Sequence, residues 1–443
     1  MAASATTVSL NRRIYFNIVF PLFIVSVLAY IDRVNIGYAA LTLNGDLRFS
    51  PEVFGFGAGI LFAGYLLFAI PGALIAEWTS ARIWLGCMTV CWGVISAMMA
   101  FMRTPLEFYV IRFLLGAAEA SLYPVAYATF IPRWFQPRER ALAIAVLLAS
   151  LQVSGIVGAP LAGWMLGVSL FGFKGWQILF LLEAIPAVVI GVAIPFWMAD
   201  WPRQARWLTT DEQALLSERY EQEVAAKTGA QPYKVLDALK DREVLKLCFI
   251  YFLWITSFWG FNYWMPTVLK SVSGWSNVFI GEVFAIAMTI SLVVSIYIGH
   301  SSSKNNEKRW HGAVPLFLAA IGMGASAYVH APWVYFVFLV ITAVGVYAPL
   351  SVWWSYPTVF LSGAAAAGAV GMINSMGNVG GFVGPYLTGW IRQSTGSFAA
   401  AMLYMAMSLA AAGLLILTLR KKLPPHPIHN PVSSTAASVP EPQ

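Results

Sequence analysis

Residues Tyr15 to Ala40 read YFNIVFPLFIVSVLAYIDRVNIGYAA. The stretch is long and apolar enough to be a membrane-spanning helix, which needs about 20 such residues. It nevertheless carries an acid and a base side by side, Asp32 and Arg33. Placing either charge at the centre of a bilayer costs about 2.5–3.5 kcal/mol on insertion scales. Charges kept there face the interior of a helix bundle or a polar cavity. The plainer alternative is a pair at headgroup depth that only marks the helix end. A second Arg and acid on a later apolar segment argue against that alternative.

The rest of the chain has the same character. Of 443 residues, 59% are hydrophobic and 11% charged, and mean hydropathy is +0.70. A water-soluble domain of this size cannot hide so much apolar side chain, so the chain is expected to be an all-α polytopic membrane protein. Twelve spans are predicted, at about 15–40, 53–76, 82–102, 106–130, 141–167, 176–199, 246–269, 278–299, 312–330, 332–358, 365–391 and 398–419. They divide into a bundle over 15–199 and a bundle over 246–419. A hydrophilic linker over 200–245 joins them and holds Asp211, Glu212, Glu218, Arg219, Glu221 and Glu223 at near-helical spacing. Residues 1–14 form a short N-terminal segment. The Pro-, Ser- and Ala-rich tail over 420–443 has the composition of a disordered segment.

Lys and Arg set the orientation. Arg12, Arg13, Arg82, Arg133, Arg138, Arg140, Lys304, Lys308, Arg309, Arg420, Lys421, Lys422 and the linker bases fall on one side of the predicted spans. The other side has Arg48, Arg103, Lys174, Lys270 and Arg392. Both termini are therefore expected in the cytoplasm. The net charge of +7 comes from this asymmetry and implies no nucleic-acid partner. Cys87, Cys91 and Cys248 all fall in apolar segments and make no metal or disulfide pattern. The first apolar segment is too long for a cleavable signal and lacks a small-residue cleavage site.

The two halves repeat. Leu151–Trp164 reads LQVSGIVGAPLAGW and Gly377–Trp390 reads GNVGGFVGPYLTGW, with seven of fourteen positions identical and Gln152 opposite Asn378. Six plus six spans in parallel repeats is similar to the architecture of the major facilitator superfamily.

The chemistry concentrates in the first half. Arg112 and Glu119, in the fourth predicted span, are seven residues apart. They share a helical face, about 10.5 Å from each other by helix rise, and Tyr123 and Tyr127 continue that face. Two helices that each supply an Arg and an acid point to a shared polar cavity; a purely structural charge network is the alternative. The second half offers Asn262, Tyr263, Trp264, Ser351, Trp353, Trp354, Tyr356, Asn374 and Asn378, and Glu282 near a span end. Glu183, in the sixth span, has no basic neighbour in sequence and reads as a hydrogen-bonded group at a helix contact rather than a proton site.

Four stretches carry a family resemblance: YIDRVNIGYAAL (30–41), RFLLGAAEASLYP (112–124), RWFQPRERA (133–141) and INSMGNVGGFVGPYLTGW (373–390). Together they resemble the anion:cation symporter family of the major facilitator superfamily. That family holds proton-coupled carriers of sugar acids, tartrate, phthalate and hydroxyphenylacetate, and relatives of vesicular glutamate and sialic-acid carriers. The resemblance implies that Arg33 and Arg112 meet the substrate carboxylate and that Asp32 and Glu119 couple protons. It also implies that Tyr30, Tyr65, Gln152, Ser351, Trp354 and Asn374 line the cavity, and that the carrier works as a monomer. One motif departs. The loop after the second span reads Gly72-Ala-Leu-Ile-Ala76-Glu77-Trp-Thr-Ser-Ala-Arg82: the superfamily's Asp, four residues after the Gly, is missing, and Glu77 is one place off. In the matching loop of the second half, Ser302 stands where an acid is common.

These readings converge on a secondary transporter for uptake of a small organic anion: a sugar acid, a hydroxy-dicarboxylate or an aromatic carboxylate. With no Walker loop in the sequence, no cofactor is expected and the driver is an ion gradient, which the resemblance implies is one of protons. The rivals are a proton-driven antiporter exporting a metabolite or drug, a membrane enzyme, for which no nucleophile–base set is visible, and a non-transporting receptor.

Overall fold

The computed structural model describes residues 9–228, 241–356 and 363–420. The expected disordered tail beyond Arg420, residues 1–8, the linker over 229–240 and the expected end of span ten at 357–358 lie outside them. Among the described residues the chain is helical throughout apart from turns and one isolated bridge between Leu170 and Phe173. Twelve long helical stretches follow one another. The first six are Ser9–Leu47, Pro51–Trp78, Ala81–Phe101, Pro105–Trp134, Pro137–Met165 and Gly175–Trp197. The last six are Arg242–Ser273, Asn277–Asn305, Arg309–Ser326, Pro332–Trp353, Gly363–Thr395 and Ala399–Leu417. They are called spans one to twelve below. Ten of them are long and apolar enough to cross a membrane; spans nine and eleven complete the set by position. Span one runs past its expected end at residue 40 to Leu47. It stops where Arg48 takes a left-handed backbone (φ 54°).

Helix starts follow local rules. Ser50, Ser80 and Ser276 each accept a hydrogen bond from the backbone N–H three residues on, and Thr104 with Glu107 forms a reciprocal capping box. These contacts satisfy N–H groups that the first helical turn leaves unpaired. The hydrophilic linker contains the helix Thr210–Thr228, held to the first half by Arg13–Glu212 and by a two-point Arg140–Glu223 pair (2.6 and 2.9 Å).

The sequence repeat has a spatial counterpart. A Cβ on Gly163 of span five would stand 2.5 Å from the carbonyl oxygen of Asn277, the first residue of span eight. Gly389 holds the matching position on span eleven. A Cβ there would stand 2.2 Å from the carbonyl oxygen of Pro51, the first residue of span two. Each half thus packs a bare backbone stripe against the other half, and small residues permit that approach. Glu52 N–H donates to Gln393 Oε1 (3.2 Å) in the same region. The halves are therefore closed against each other at the end of the bundle away from Ser9 and Arg420.

Candidate functional site

Successive helical residues are rotated by about 100°. Tyr30, Arg33 and Gly37 therefore share one face of span one, while Asp32 and Asn35 lie on another. Gly37 marks the crossing with span seven, where an added Cβ would be 3.0 Å from the carbonyl oxygens of Asn262 and Tyr263. Arg33 projects into the space beside this crossing. Its Nη2 donates to Glu119 Oε2 at 2.7 Å, with both side chains buried. The guanidinium lies 4.6 Å from the ring centre of Tyr65, 5.0 Å from Tyr30 and 5.6 Å from Trp259. Aromatic faces carry negative quadrupole density and favour a cation there.

The neighbour of Arg33 in sequence is not its partner in space. Asp32 turns to span three and accepts from Ser96 Oγ. Its second oxygen is buried without a partner. Asp32 and Arg33, side by side in sequence, thus take different hydrogen-bond partners, because adjacent residues on a helix face different neighbours.

Arg112 on span four is fully buried. Its Nη2 reaches the Ala58 carbonyl (3.4 Å) and the Tyr263 hydroxyl (3.3 Å), and its Nε and Nη1 have no protein partner. No carboxylate forms an ion pair with it among the described residues. Regular α-helix ends at Glu119, resumes at Leu122 and widens to a π-turn over Ala126–Phe130. Such turns re-aim side chains locally. Even so, Tyr123 remains against Tyr30 (ring centres 6.2 Å apart) and Tyr127 against Tyr123 (5.7 Å).

The polar inventory here is unbalanced. Arg33 Nε, Arg112 Nε and Nη1, and the hydroxyls of Tyr65, Tyr123 and Tyr127 are buried without protein partners, as is Glu119 Oε1. All but the last can donate. A buried donor left unmet costs about 1–3 kcal/mol, so the surroundings suit an anionic, hydroxyl-bearing guest. Span seven adds Trp259, stacked over Tyr30 (6.3 Å, 11°), and Tyr263. Trp259 escapes a reading of the sequence because nothing distinguishes it from the other aromatics of that helix.

The remaining expected cavity residues are spread more widely. Gln152 Nε2 donates to Ser295 Oγ (3.2 Å), tying span five to span eight. Trp354 packs edge-on to Tyr251 at 5.4 Å. Ser351 turns its hydroxyl onto the Ala348 carbonyl of its own helix, and Asn374 is exposed on span eleven. Glu183 accepts from Asn35 Nδ2 across the contact between spans six and one, the helix-packing role expected of it.

The loop with the missing Asp is held by other acids. Glu77 pairs with Arg133 (2.7 Å) and accepts from Thr129 (3.1 Å). Asp200, at the end of span six, accepts from Ser80 Oγ (2.6 Å) and Arg82 N–H (2.8 Å). Arg133 also stacks over Trp201 at 3.8 Å. In the second half Ser302 Oγ donates to the Glu307 carbonyl (2.6 Å), and Glu307 meets His311 Nδ1 (2.7 Å).

Comparison with known proteins bears on the whole chain. Residues 22–385 match the family described as the Major Facilitator Superfamily. A protein of Agrobacterium vitis named "Putative tartrate transporter" is 38% identical over 416 residues, 93% of this chain and 95% of the relative. The "Quinolone resistance transporter" of Acinetobacter baumannii is 31% identical over 414 residues, 93% and 95% of the two chains. Among solved structures, the xylose transporter XylE from E. coli, in a partially occluded inward-open conformation, superposes with TM-score 0.70 at 14% identity, covering 91% of this chain and 98% of that one.

Proposed function

Because the chain belongs to the major facilitator superfamily, and is thus a membrane-embedded transporter of small molecules rather than an enzyme, we propose that it takes up a small organic anion together with protons by alternating access. The observation that carries this reading is the Arg33–Glu119 pair beside a fully buried Arg112 that has no carboxylate partner among the described residues. Guanidinium groups stay charged when desolvated and grip carboxylates through two parallel bonds. Arg112 offers such a fork directly. Arg33 offers one only when Glu119 lets go.

Glu119 therefore links the two ligands. Ionised, it neutralises Arg33. Protonated, it frees Arg33 for a substrate carboxylate, so proton and anion favour each other's binding. Asp32, bonded to Ser96, is the second proton-coupling acid. The tyrosine hydroxyls suit the hydroxyls of a sugar acid or hydroxy-dicarboxylate, and the rings of Tyr30 and Trp259 suit an aromatic carboxylate. The relative named for tartrate supports the hydroxy-dicarboxylate class. Both termini lie in the cytoplasm by the Lys and Arg asymmetry. The closed end is then the outer end, and the state described is inward-facing, with the protein in the cell membrane as a monomer.

The test is uptake of tartrate, sugar acids and aromatic acids by proteoliposomes with an inward proton gradient, after a thermal-shift screen for ligands that stabilise the fold by mass action. Uphill accumulation supports the proposal. A second reading, a proton-driven antiporter exporting a metabolite or drug, is favoured by the relative named for quinolone resistance. It requires that an inward proton gradient expel the substrate from the vesicles instead.

A further inference from the structure

Glu183 is a half-buried acid, with its Oε2 fully buried, that transport leaves unused. It lies on span six between Leu182 and Ile185, both exposed on the apolar outside of the bundle, and it meets span one. Asn35 Nδ2 donates to Glu183 Oε1. Two atoms of this pair remain buried and unpartnered: Asn35 Oδ1 and Glu183 Oε2. An ionised carboxylate is acceptor-only, as is an amide oxygen, so ionised Glu183 leaves both atoms unmet. A proton on Oε2 supplies the missing donor, and the acid–amide pair then closes through two hydrogen bonds.

The charged surroundings favour the same state. No Lys, Arg or His forms an ion pair with Glu183 among the described residues. The titratable group that acts on it from a packed span is Asp32 of span one, itself an acid, which accepts from Ser96 of span three. Span three presents Gly93 to the Ala184 backbone and the Val188 side chain, an apolar contact. An ionised Glu183 would thus stand at membrane depth, near a second carboxylate and without a cation, which membrane proteins avoid.

We propose that Glu183 is a proton-binding site separate from Asp32 and Glu119. It is a carboxylic acid that keeps its proton across the neutral range and joins Asn35 by two bonds, pinning span one to span six. Asn35 is two residues from Arg33, about 200° around the helix. Holding Asn35 against span six therefore turns Arg33 inward, which makes Glu183 a positioning residue for the cation. The inference does not depend on which substrate is carried, or on whether any is.

The test compares infrared spectra of the full-length wild type and Glu183→Gln in liposomes. A glutamine amide can accept from Asn35 Nδ2 and donate to Asn35 Oδ1, so this variant should fold and keep its Tm. Relative to wild type it should lose carbonyl absorption of one un-ionised carboxylic acid, at neutral and at mildly alkaline pH alike. Glu183→Leu strands Asn35 and should lower Tm, and Asn35→Leu combined with Glu183→Leu should recover much of the loss. If Glu183→Gln loses carboxylate absorption instead, or if the acid band attributable to Glu183 disappears as pH is raised through neutrality, the proposal is overturned. The infrared comparison decides even if the leucine variants do not fold.

Discussion

Arg33 donates to Glu119, eighty-six residues away, at 2.7 Å, while its sequence neighbour Asp32 faces Ser96 on the other side of the same helix. The pair joins spans one and four at the middle of the first half. On the proposed function, whether Arg33 is neutralised depends on the protonation of Glu119, and the functional predictions rest on that.

Arg112→Lys keeps the charge but removes the planar fork. Loss of one charged hydrogen bond should cost about 1.5–3 kcal/mol of substrate affinity. Calorimetric binding of the best ligand from the screen checks this. Unchanged affinity would move the anion to Arg33 alone.

Orientation is checked with single cysteines in a background free of Cys87, Cys91 and Cys248. Phe171, 89% exposed in the turn between spans five and six, should label as Phe171→Cys with an impermeant thiol reagent added outside intact cells. Glu221→Cys, on the linker helix, should not. The reverse pattern would invert the topology and turn the described state outward.

Gly389→Ala should weaken closure of the far end of the bundle, because its Cβ would stand 2.2 Å from the Pro51 carbonyl oxygen and neither backbone can yield easily. Overpacking of this kind costs about 1–3 kcal/mol, or roughly 5- to 150-fold in a two-state equilibrium. A cysteine at Gln393, which accepts from Glu52 N–H, should react faster with the same outside reagent in the Gly389→Ala background. An unchanged rate would mean that this contact does not govern closure.

Docking of the linker helix should depend on pH through Glu212. Burial alone would raise its pKa, but the Thr209 amide and Arg13 outweigh burial and hold it below the ordinary glutamate range. A depressed native value contributes stability that is present above the unfolded pKa and is lost as pH falls through the native one. Hydrogen exchange over Thr210–Thr228 should therefore stay slow at neutral pH, and protection should fall only in acid. Glu212→Gln should flatten that acid dependence.

Much of this was legible in the sequence. Apolar runs gave the spans, and the Gly-rich repeat put Gly163 and Gly389 at matching positions. Arg and acid on spans one and four marked the polar centre. What could not be read was rotation between helices: which acid meets Arg33, that Trp259 covers it, and that Asn35 and Glu183 meet behind it. Those pairings depend on how separate helices pack, which periodicity within one helix does not encode. The break after Glu119, by contrast, has its cause in the sequence: Pro124 has no N–H to give the Ala120 carbonyl four residues back, and its ring crowds that carbonyl. Asp200 occupying the role of the missing loop Asp is likewise a contact between segments more than a hundred residues apart.

The central claim is that Glu119 exchanges Arg33 for a proton and so ties anion uptake to the proton gradient. Glu119→Gln fixes the protonated form. The most direct measurement is transport by this variant in proteoliposomes, in exchange mode and under an imposed inward proton gradient. The account predicts that substrate still binds and exchanges, that binding loses most of its pH dependence, and that accumulation against a gradient is abolished. Accumulation equal to wild type would contradict it and pass the coupling role to Asp32.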